Sequence, residues 1–236
     1  MKININANSI EDTYRIYRKK TANEILVKIT FSFIFAFLMW VSANSFVYLP
    51  FTPVPFTMQV LTVLISPIFL GSYWAMLSQI EYISLGLAGL PVFSGFKSGF
   101  SALAGPTGGY IIGFVIASFV TGYIYIRLNP ITSSNDKNPN YKDISQHKDI
   151  LDNYENIDKK VQATAIACLC GLAVIYIFGY LHLLGYLSTF GINIGLKELA
   201  VKTFKLGVQP FIIIDLLKIM IIVNIQRVSG IKKLTA

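Results

Sequence analysis

Long apolar runs make up most of this chain, and they are separated by a polar N-terminal segment and one long polar stretch. A helix needs about 20 mostly apolar residues to cross a hydrocarbon core of about 30 Å. Six runs approach or exceed that length, at about 25–47, 57–70, 71–90, 108–128, 161–187 and 208–227. The second run is short and contains Pro67, an interruption that is tolerated where a helix faces a cavity. The pattern predicts an all-α integral membrane protein, a bundle of six transmembrane helices.

The alternation of apolar and polar blocks also divides the chain into segments. We expect a cytoplasmic N-terminal segment at 1–24 and transmembrane helices 1–4 at 25–128, with a lid loop at 91–107. A polar, nearly charge-balanced stretch at 129–160 predicts a flexible cytoplasmic linker. Helices 5 and 6 follow at 161–228, and 229–236 forms a short cytoplasmic tail.

Composition supports a lipid environment. Hydrophobic residues make up 54% of the chain and charged residues only 14%, against about 25% charged in an ordinary soluble domain. The mean hydropathy is +0.58. The net charge of +8 does not indicate nucleic-acid binding, because the basic residues do not form the patch or stripe that such binding requires.

The distribution of lysine and arginine predicts the orientation. Basic residues are concentrated before the first span, in 129–160 and after the last span, and cytoplasmic loops carry the excess of such residues. We therefore expect a protein of the plasma membrane with both termini in the cytoplasm. The segment 188–207 departs from this trend, because it would lie outside and yet carries Lys197, Lys202 and Lys205.

Away from the span ends, three charged residues fall inside the predicted spans: Glu81 in the third, and Asp215 and Lys218 in the sixth. Lys28 and Arg127 lie close enough to a span end to snorkel. Ionisable groups at membrane depth are costly and usually mark function. Asp215 and Lys218 are three residues apart, so they lie on one helix face and can pair. Pro210 suits the first turn of that helix. A buried ion pair that only fixes helix packing is the alternative interpretation.

Further polar residues gather at the same predicted depth in the outer half of the membrane. They are Gln59 after a proline-rich segment, Gln79 and Tyr82 three apart on the third helix, and Asn44 at the end of the first. Each alone is typical of an interhelical hydrogen bond, but together they predict a small-molecule pocket. No metal-ligand spacing and no catalytic set is found, and His182 is interpreted as a packing residue.

The glycine-rich sequence GPTGGYIIGF at 105–114 is not a phosphate loop, because Tyr110 and Ile111 stand where a Walker A motif needs Lys and Ser or Thr. Gly109, Gly113, Ala117 and Thr121 instead form a stripe of small residues that permits close helix packing. Upstream, the flexible lid loop carries one cation, Lys97, and is suited to closing over a small molecule.

Two smaller features complete the sequence. Ser32 and Ala36 give a second small-residue face, available for a partner subunit or for internal packing. Cys168 and Cys170 are two apart on a helix and point to different faces, which favours apolar fillers over a disulfide or metal pair.

Three stretches together resemble the BioY family, the biotin-binding S components of energy-coupling factor (ECF) transporters. They are VPFTMQVLTVL, GLAGLPVFSGFKSGFSALAGPTGGYIIGF and GVQPFIIIDLLK, in this order, within similarity over about 25–128 and 161–228. The chain departs from the family pattern at Ile213 and Ile214, which replace a Pro-Gly, in its longer 129–160 linker, and in Ser32 for alanine.

The resemblance implies a six-helix membrane protein that captures biotin in an outward-facing pocket. It implies a transmembrane coupling subunit and ABC ATPase subunits as partners, so this chain itself would bind no nucleotide and no other cofactor. The family's acidic and basic pair matches Asp215 and Lys218, its tyrosine Tyr82 and its glutamine Gln59. Ser32 and Ala36 match its face toward the coupling subunit. We expect Gln79 and Asn44 to add polar contacts and Lys97 to meet the biotin carboxylate.

Three alternatives stay open at this point. The first is an S component for a different vitamin, with the same scaffold and another pocket. The second is a membrane-embedded enzyme that uses Glu81, Asp215 and His182. The third is a scaffold subunit built on the small-residue faces, which would leave the buried Asp215 and Lys218 unexplained.

Overall fold

The structure, a computed structural model, describes residues 7–129, 146–189 and 195–235, with side chains described over 22–129, 156–189 and 195–229. The described part is mostly helical. In chain order it contains α1 Ala7–Asn44, β1 Phe46–Val47, β2 Phe56–Thr57, α2 Gln59–Leu70, α3 Ser72–Leu87, α4 Phe100–Ala104, α5 Gly108–Leu128, α6 Gln146–Thr189, α7 Leu196–Gly207 and α8 Ile212–Thr235.

Each of the six predicted spans coincides with a helix, but not each helix is long enough to cross a bilayer alone. Three are long and apolar enough: 22–44 within α1, all of α5, and 156–189 within α6. Helices α7 and α8 pass the same test only as one pair, bent by 43° at their junction. Helices α2 and α3 have 12 and 16 residues. The structure therefore supports a helical membrane protein with three or four candidate spans.

A single glycine separates α2 from α3. Gly71 has φ 77° and ψ 171°, a conformation that glycine adopts without steric cost. Its N–H donates to the Pro67 carbonyl at 2.9 Å and closes α2. Gly122 of α5 packs directly on Ser72, so the start of α3 lies against the bundle. The apolar run at 57–90 is thus folded as two short helices around this break.

The small-residue stripe on α5 packs on α6, as predicted. A β-carbon on Gly109 would meet His182 and Phe178, and one on Gly113 would meet Phe178 and Ile175. Ala117 and Thr121 are fully buried. Because small residues let the backbones approach, α5 and α6 form the closest helix pair of the bundle and fix the wall of the cavity described below.

Three helices continue beyond the predicted spans into polar sequence. Helix α1 begins at Ala7, inside the predicted 1–24 segment, and α8 runs to Thr235 through the predicted tail. Helix α6 begins at Gln146, so the second half of the predicted flexible linker is helical. Residues 130–145 of that linker lie outside the described residues. Charged residues on a solvated helix turn do not oppose helix formation, whereas they end a hydropathy window.

Two of the segments predicted to lie outside the cell also contain more structure than expected. The segment 188–207 contains the amphipathic helix α7, and the lid loop at 91–107 contains the five-residue helix α4. Pro210 was predicted in the first turn of the last helix. In the structure it lies in the turn that precedes Ile212. Asp215 is consequently in the first turn of α8.

The two cysteines confirm their interpretation as fillers. Cys168 is fully buried, Cys170 is half-buried, and both thiols are free. Cys168 belongs to the main apolar core, which joins side chains of all the long helices.

Candidate functional site

A cavity of about 550 Å³ lies between the 48–60 segment, the lid loop and helices α5, α6 and α8. That volume is in the range of small-molecule sites, roughly 300–1,000 Å³. Aromatic and apolar side chains form much of its wall, among them Phe93, Tyr110, Phe114, Tyr176 and Phe211. The ring of Phe211 packs on Phe56 with centroids 4.5 Å apart. The site is therefore an apolar chamber with a small number of polar groups, the usual composition of a ligand pocket.

Asp215 and Lys218 form an ion pair in the cavity wall. The Lys218 Nζ lies 2.7 Å from the Asp215 Oδ1, and the two residues are 5% and 2% exposed. They are on one face of α8, three residues apart, as predicted from the sequence. Two buried charges in a low-dielectric surrounding are stable only when each is paired and hydrogen-bonded.

Two neighbours complete the hydrogen bonds of this pair. The Tyr176 hydroxyl on α6 donates to Asp215 Oδ2 at 2.7 Å, and Lys218 Nζ donates to the Thr57 carbonyl at 2.8 Å. The pair thus joins α8 to α6 and to strand β2. Sequence reasoning missed Tyr176, which has no local mark because its partner lies 39 positions away. Thr57 lies in the sequence VPFTMQVLTVL, but no local feature marks its carbonyl as a partner of Lys218.

The pair keeps unused hydrogen-bonding capacity on the cavity side. An ammonium has three donors and a carboxylate about four lone-pair sites. Within the described residues, Lys218 uses two donors and Asp215 accepts two bonds. One donor and about two acceptor sites therefore remain for a ligand that presents an acceptor next to donors.

Gln59 connects the cavity to Tyr82 behind it. Gln59 lines the cavity, and its Nε2 donates to the Tyr82 hydroxyl at 3.1 Å, while its Oε1 accepts from Thr57 Oγ1 at 3.2 Å. Tyr82 in turn donates to the Val92 carbonyl at 3.2 Å. Tyr82 is fully buried and is not among the residues that line the cavity. Its direct contact with a ligand stays a prediction, and its observed contacts are with Gln59 and the lid loop.

Gln79 and Asn44 are also outside the cavity lining. Gln79 is fully buried on α3; its Nε2 donates to Ser78 Oγ at 3.2 Å and its Oε1 has no partner among the described residues. Asn44 Oδ1 accepts from the Phe96 N–H at 2.9 Å, so Asn44 holds the lid loop from α1. A contact between either side chain and a ligand stays a prediction.

The lid loop at 91–107 lines one side of the cavity. Its residues Phe93, Ser94, Phe96, Lys97 and Ser98 are part of the wall. A short bridge joins Phe93 and Lys97 through two backbone hydrogen bonds of 3.0 and 3.2 Å. The side chain of Lys97 is exposed and that of Ser94 carries a buried hydroxyl with no partner in the described part of the chain. Both are available to a polar group of a ligand.

Besides the Tyr82 bond to the Val92 carbonyl, three hydrogen bonds shorter than 3.0 Å fasten the lid loop to the helices around it. The first is the Asn44 bond to Phe96; the second runs from the Gly99 N–H to the Gly86 carbonyl at 2.8 Å. The third joins His182 Nε2 and the Gly105 carbonyl at 2.9 Å. His182 also packs on Gly109. It is thus a packing residue that fixes the end of the loop, in agreement with the sequence interpretation.

Ser32, Ala36 and Glu81 lie away from the cavity, where α1 meets α3. The Ser32 hydroxyl is 2.8 and 3.0 Å from the two carboxylate oxygens of Glu81. Ser32 and Ala36 are buried inside the described chain, at 0% and 1% exposure. The structure thus shows the internal-packing alternative for these two residues, and their contact with a partner subunit stays a prediction.

Comparison with known proteins adds three findings. A family model described as the BioY family matches residues 16–234. A protein of Pyrococcus horikoshii described as a probable biotin transporter BioY is 32% identical over 200 residues, which cover 84% of this chain and 95% of that protein. A biotin transporter BioY of Thermotoga maritima is 42% identical over 88 residues, which cover 37% of this chain and 52% of that one.

A solved structure shares the fold. It is described as the S-component for biotin from an ECF-type ABC transporter, and it matches with a TM-score of 0.61. The match covers 87% of this chain and 91% of the solved chain at 22% sequence identity. At that identity the likeness shows the arrangement of helices and does not by itself transfer a ligand.

Proposed function

Because this chain belongs to the BioY family, we propose that it takes up biotin and binds it in the cavity beside Asp215 and Lys218. The observation that carries this proposal is the pair itself, a buried donor and acceptor set with spare capacity in an otherwise apolar chamber. The BioY proteins are transporters, and the chain is accordingly not an enzyme.

The chemistry of biotin suits the cavity wall. Its ureido ring presents N–H donors and a carbonyl acceptor, and its bicycle and chain are apolar. Asp215 accepts from the ureido N–H groups, and the free donor of Lys218 meets the ureido carbonyl. Gln59 offers a further amide, and the rings of Phe93, Tyr110 and Phe211 cover the bicycle. Charge-assisted hydrogen bonds of this kind contribute about 1.5–3 kcal/mol each.

The lid loop supplies the remaining contacts of this proposed complex. Lys97 meets the biotin carboxylate, and Ser94 gives its unpartnered hydroxyl to a ligand acceptor. In the same scheme Tyr82 acts from behind the wall through Gln59, and Asn44 acts through the position of the loop. The unpartnered Oε1 of Gln79 is a further acceptor for the ligand. Closure of a loop over a bound small molecule excludes water and strengthens the polar contacts inside.

We also propose the assembly in which this binding leads to uptake. The chain acts as the S component of an ECF transporter, together with a transmembrane coupling subunit and ABC ATPases, and it has no Walker A motif of its own. It crosses the plasma membrane six times with both termini in the cytoplasm, and α2 and α3 count as separate spans. Basic residues at the ends of α1, α5, α6 and α8 support this orientation.

Specific contacts in the structure argue against two of the three alternative functions, the membrane-embedded enzyme and the scaffold subunit. A membrane-embedded enzyme would need His182 near Asp215, but His182 is engaged with Gly105 and Gly109. A scaffold subunit would not need an apolar chamber of about 550 Å³ with a buried ion pair in its wall. An S component for another vitamin shares the scaffold, so only a ligand measurement separates it from the biotin proposal.

The test is a calorimetric titration of the purified chain in detergent with biotin, and with thiamine and riboflavin as other vitamins. Biotin is expected to bind and the other two are not. Asp215→Asn is expected to lower biotin affinity by about 10- to 100-fold, since it removes charge-assisted bonds. Retention of a different vitamin would overturn the biotin assignment, and an unchanged affinity of Asp215→Asn would overturn the assigned site.

A further inference from the structure

Helix α7, Leu196–Gly207, has a buried side that fixes it to the bundle. Leu199, Thr203 and Gly207 are buried and follow one another at a spacing of four, so they lie along one face. The Leu206 carbonyl accepts from Thr52 Oγ1 at 2.7 Å, and the Ala200 carbonyl accepts from the Tyr180 hydroxyl at 3.3 Å. The helix is therefore held in a defined orientation on the protein surface.

A second side of α7 is apolar and exposed. Val201 and Phe204 are 49% and 45% exposed and, three residues apart, share one flank. After the 43° bend, α8 exposes Ile213 and Leu217 at 72% and 52%. Large apolar side chains exposed at this density on a membrane protein face lipid. This flank of α7 is therefore available for contact with lipid acyl chains.

A third side of α7 is charged. Lys202 and Lys205 are three residues apart on an exposed face, and Glu198 lies between them around the helix. Lys197, in the first turn, lies on the apolar flank between Val201 and Phe204 around the helix. The helix carries three lysines against one glutamate. Among the described residues, none of these lysines has an ion-pair partner. A net positive face next to an apolar flank is the composition of helices that lie in the membrane interface.

We propose that α7 is an interfacial helix that binds the headgroup of an anionic phospholipid. Lys202 and Lys205 contact the phosphate, and Val201 and Phe204 lie against the acyl chains. Charge complementarity identifies the headgroup as anionic, and the adjoining apolar flank identifies a lipid and not a free anion. The lysines of 188–207, which depart from the positive-inside trend, have a role in this arrangement. The proposal goes beyond biotin uptake and does not depend on it.

The test uses the purified full chain in nanodiscs that contain equal amounts of phosphatidylglycerol and phosphatidylcholine. Native mass spectrometry gives the ratio of the two lipids retained on the protein. The wild type is expected to retain phosphatidylglycerol in excess. Lys202→Gln with Lys205→Gln is expected to lower this ratio by roughly 20-fold, and Glu198→Gln to raise it by about fivefold. Lys202→Arg with Lys205→Arg keeps the charge and is expected to match the wild type.

Two results would overturn the proposal. One is a lipid ratio that the double glutamine variant leaves unchanged. The other is displacement of phosphatidylglycerol by millimolar inorganic phosphate, which would show a site for free anions. Thermal unfolding of each variant in detergent reports folding, whatever ligand the cavity binds. A variant that keeps the wild-type melting temperature and loses phosphatidylglycerol supports the lipid site.

Discussion

Asp215 is held by two donors from two other parts of the chain. Lys218 binds one carboxylate oxygen and Tyr176 the other, both at 2.7 Å. The carboxylate cannot rotate without breaking one of these bonds, so its free lone pairs keep fixed directions. A pre-organised acceptor loses less entropy when a ligand binds. Tyr176 therefore contributes to affinity through the position of Asp215.

Tyr176→Phe is expected to lower biotin affinity by about tenfold, because it removes one charge-assisted hydrogen bond to Asp215. The loss should be no larger than that of Asp215→Asn, since the carboxylate itself remains. Tyr180→Phe is the matched control on the same helix, because its hydroxyl donates to the Ala200 carbonyl outside the cavity. Calorimetric titration of the three variants measures the effect. Equal affinities of Tyr176→Phe and wild type would contradict this role.

At the residue scale, the sequence revealed the pair but not its surroundings. Asp215 and Lys218 could be predicted because a spacing of three on a helix is a local property. Tyr176 and the Thr57 carbonyl could not, since their partners lie 39 and 161 positions away. Gln79 was expected in the pocket because of its helix face, but the structure has it buried behind that wall. Periodicity predicts which residues share one face of a helix. Whether such a residue reaches the cavity depends on how the neighbouring helices pack, which the sequence does not display.

The small-residue stripe is the element whose effect on stability is easiest to separate from ligand binding. Gly109→Ala is expected to destabilise the protein by roughly 1–3 kcal/mol, because its β-carbon would meet His182 and the Phe178 carbonyl. Gly185→Ala in α6 has no neighbour within 4 Å of its β-carbon. It should be neutral or stabilise by about 0.5–1 kcal/mol through helix propensity.

Thermal unfolding in detergent measures both changes. With Cys170 replaced by alanine, Cys168 is a built-in reporter, since its buried thiol reacts with a maleimide dye only after the core opens. A melting temperature that falls for Gly109→Ala and holds for Gly185→Ala would support close packing of α5 on α6. If both variants fall equally, the effect belongs to glycine in general and the packing argument fails.

At the element scale, close packing and apolar length could be predicted, and amphipathic helices could not. The stripe on α5 has a fixed spacing of four, which the sequence displays directly. Helix α7 buries only one narrow side, and its three lysines keep its hydropathy below that of a span. The extension of α6 to Gln146 is polar and has no apolar period to mark it. A hydropathy profile identifies segments that are apolar all round. It does not identify helices that are largely polar, such as α7 and the first turns of α6.

The orientation of the whole molecule predicts which positions are reachable from outside the cell. We replace both cysteines with alanine and introduce Phe96→Cys in the lid loop or Glu24→Cys near the start of the first span, both exposed positions. A membrane-impermeant maleimide is expected to label position 96 in intact cells. Position 24 should be labelled only after permeabilisation, because the basic flanks of α1 favour the cytoplasm. Labelling of position 24 in intact cells would contradict cytoplasmic termini.

At the scale of the molecule, the location of all six helices followed from hydropathy, but their number as spans did not. Helices α2 and α3 lie in one apolar run, and the break between them depends on the backbone of Gly71. The predicted boundary between the second and third runs, at 70 and 71, coincides with this glycine. The close packing of Gly122 on Ser72 is a contact across the bundle, and it is visible only once the helices are assembled.

The three bonds that fasten the lid loop have a consequence for the rate of exchange. Asn44, Gly86 and His182 belong to three different helices, so the loop can leave the cavity only when all three bonds are broken. Counting these three bonds alone, at about 1 kcal/mol each, the released loop would account for no more than roughly one molecule in 150. Entry and exit of a ligand would both slow by that factor while the equilibrium between them changes little. A cell that depends on this chain would therefore gain long retention of each captured molecule, at the expense of the speed with which an empty chamber is refilled.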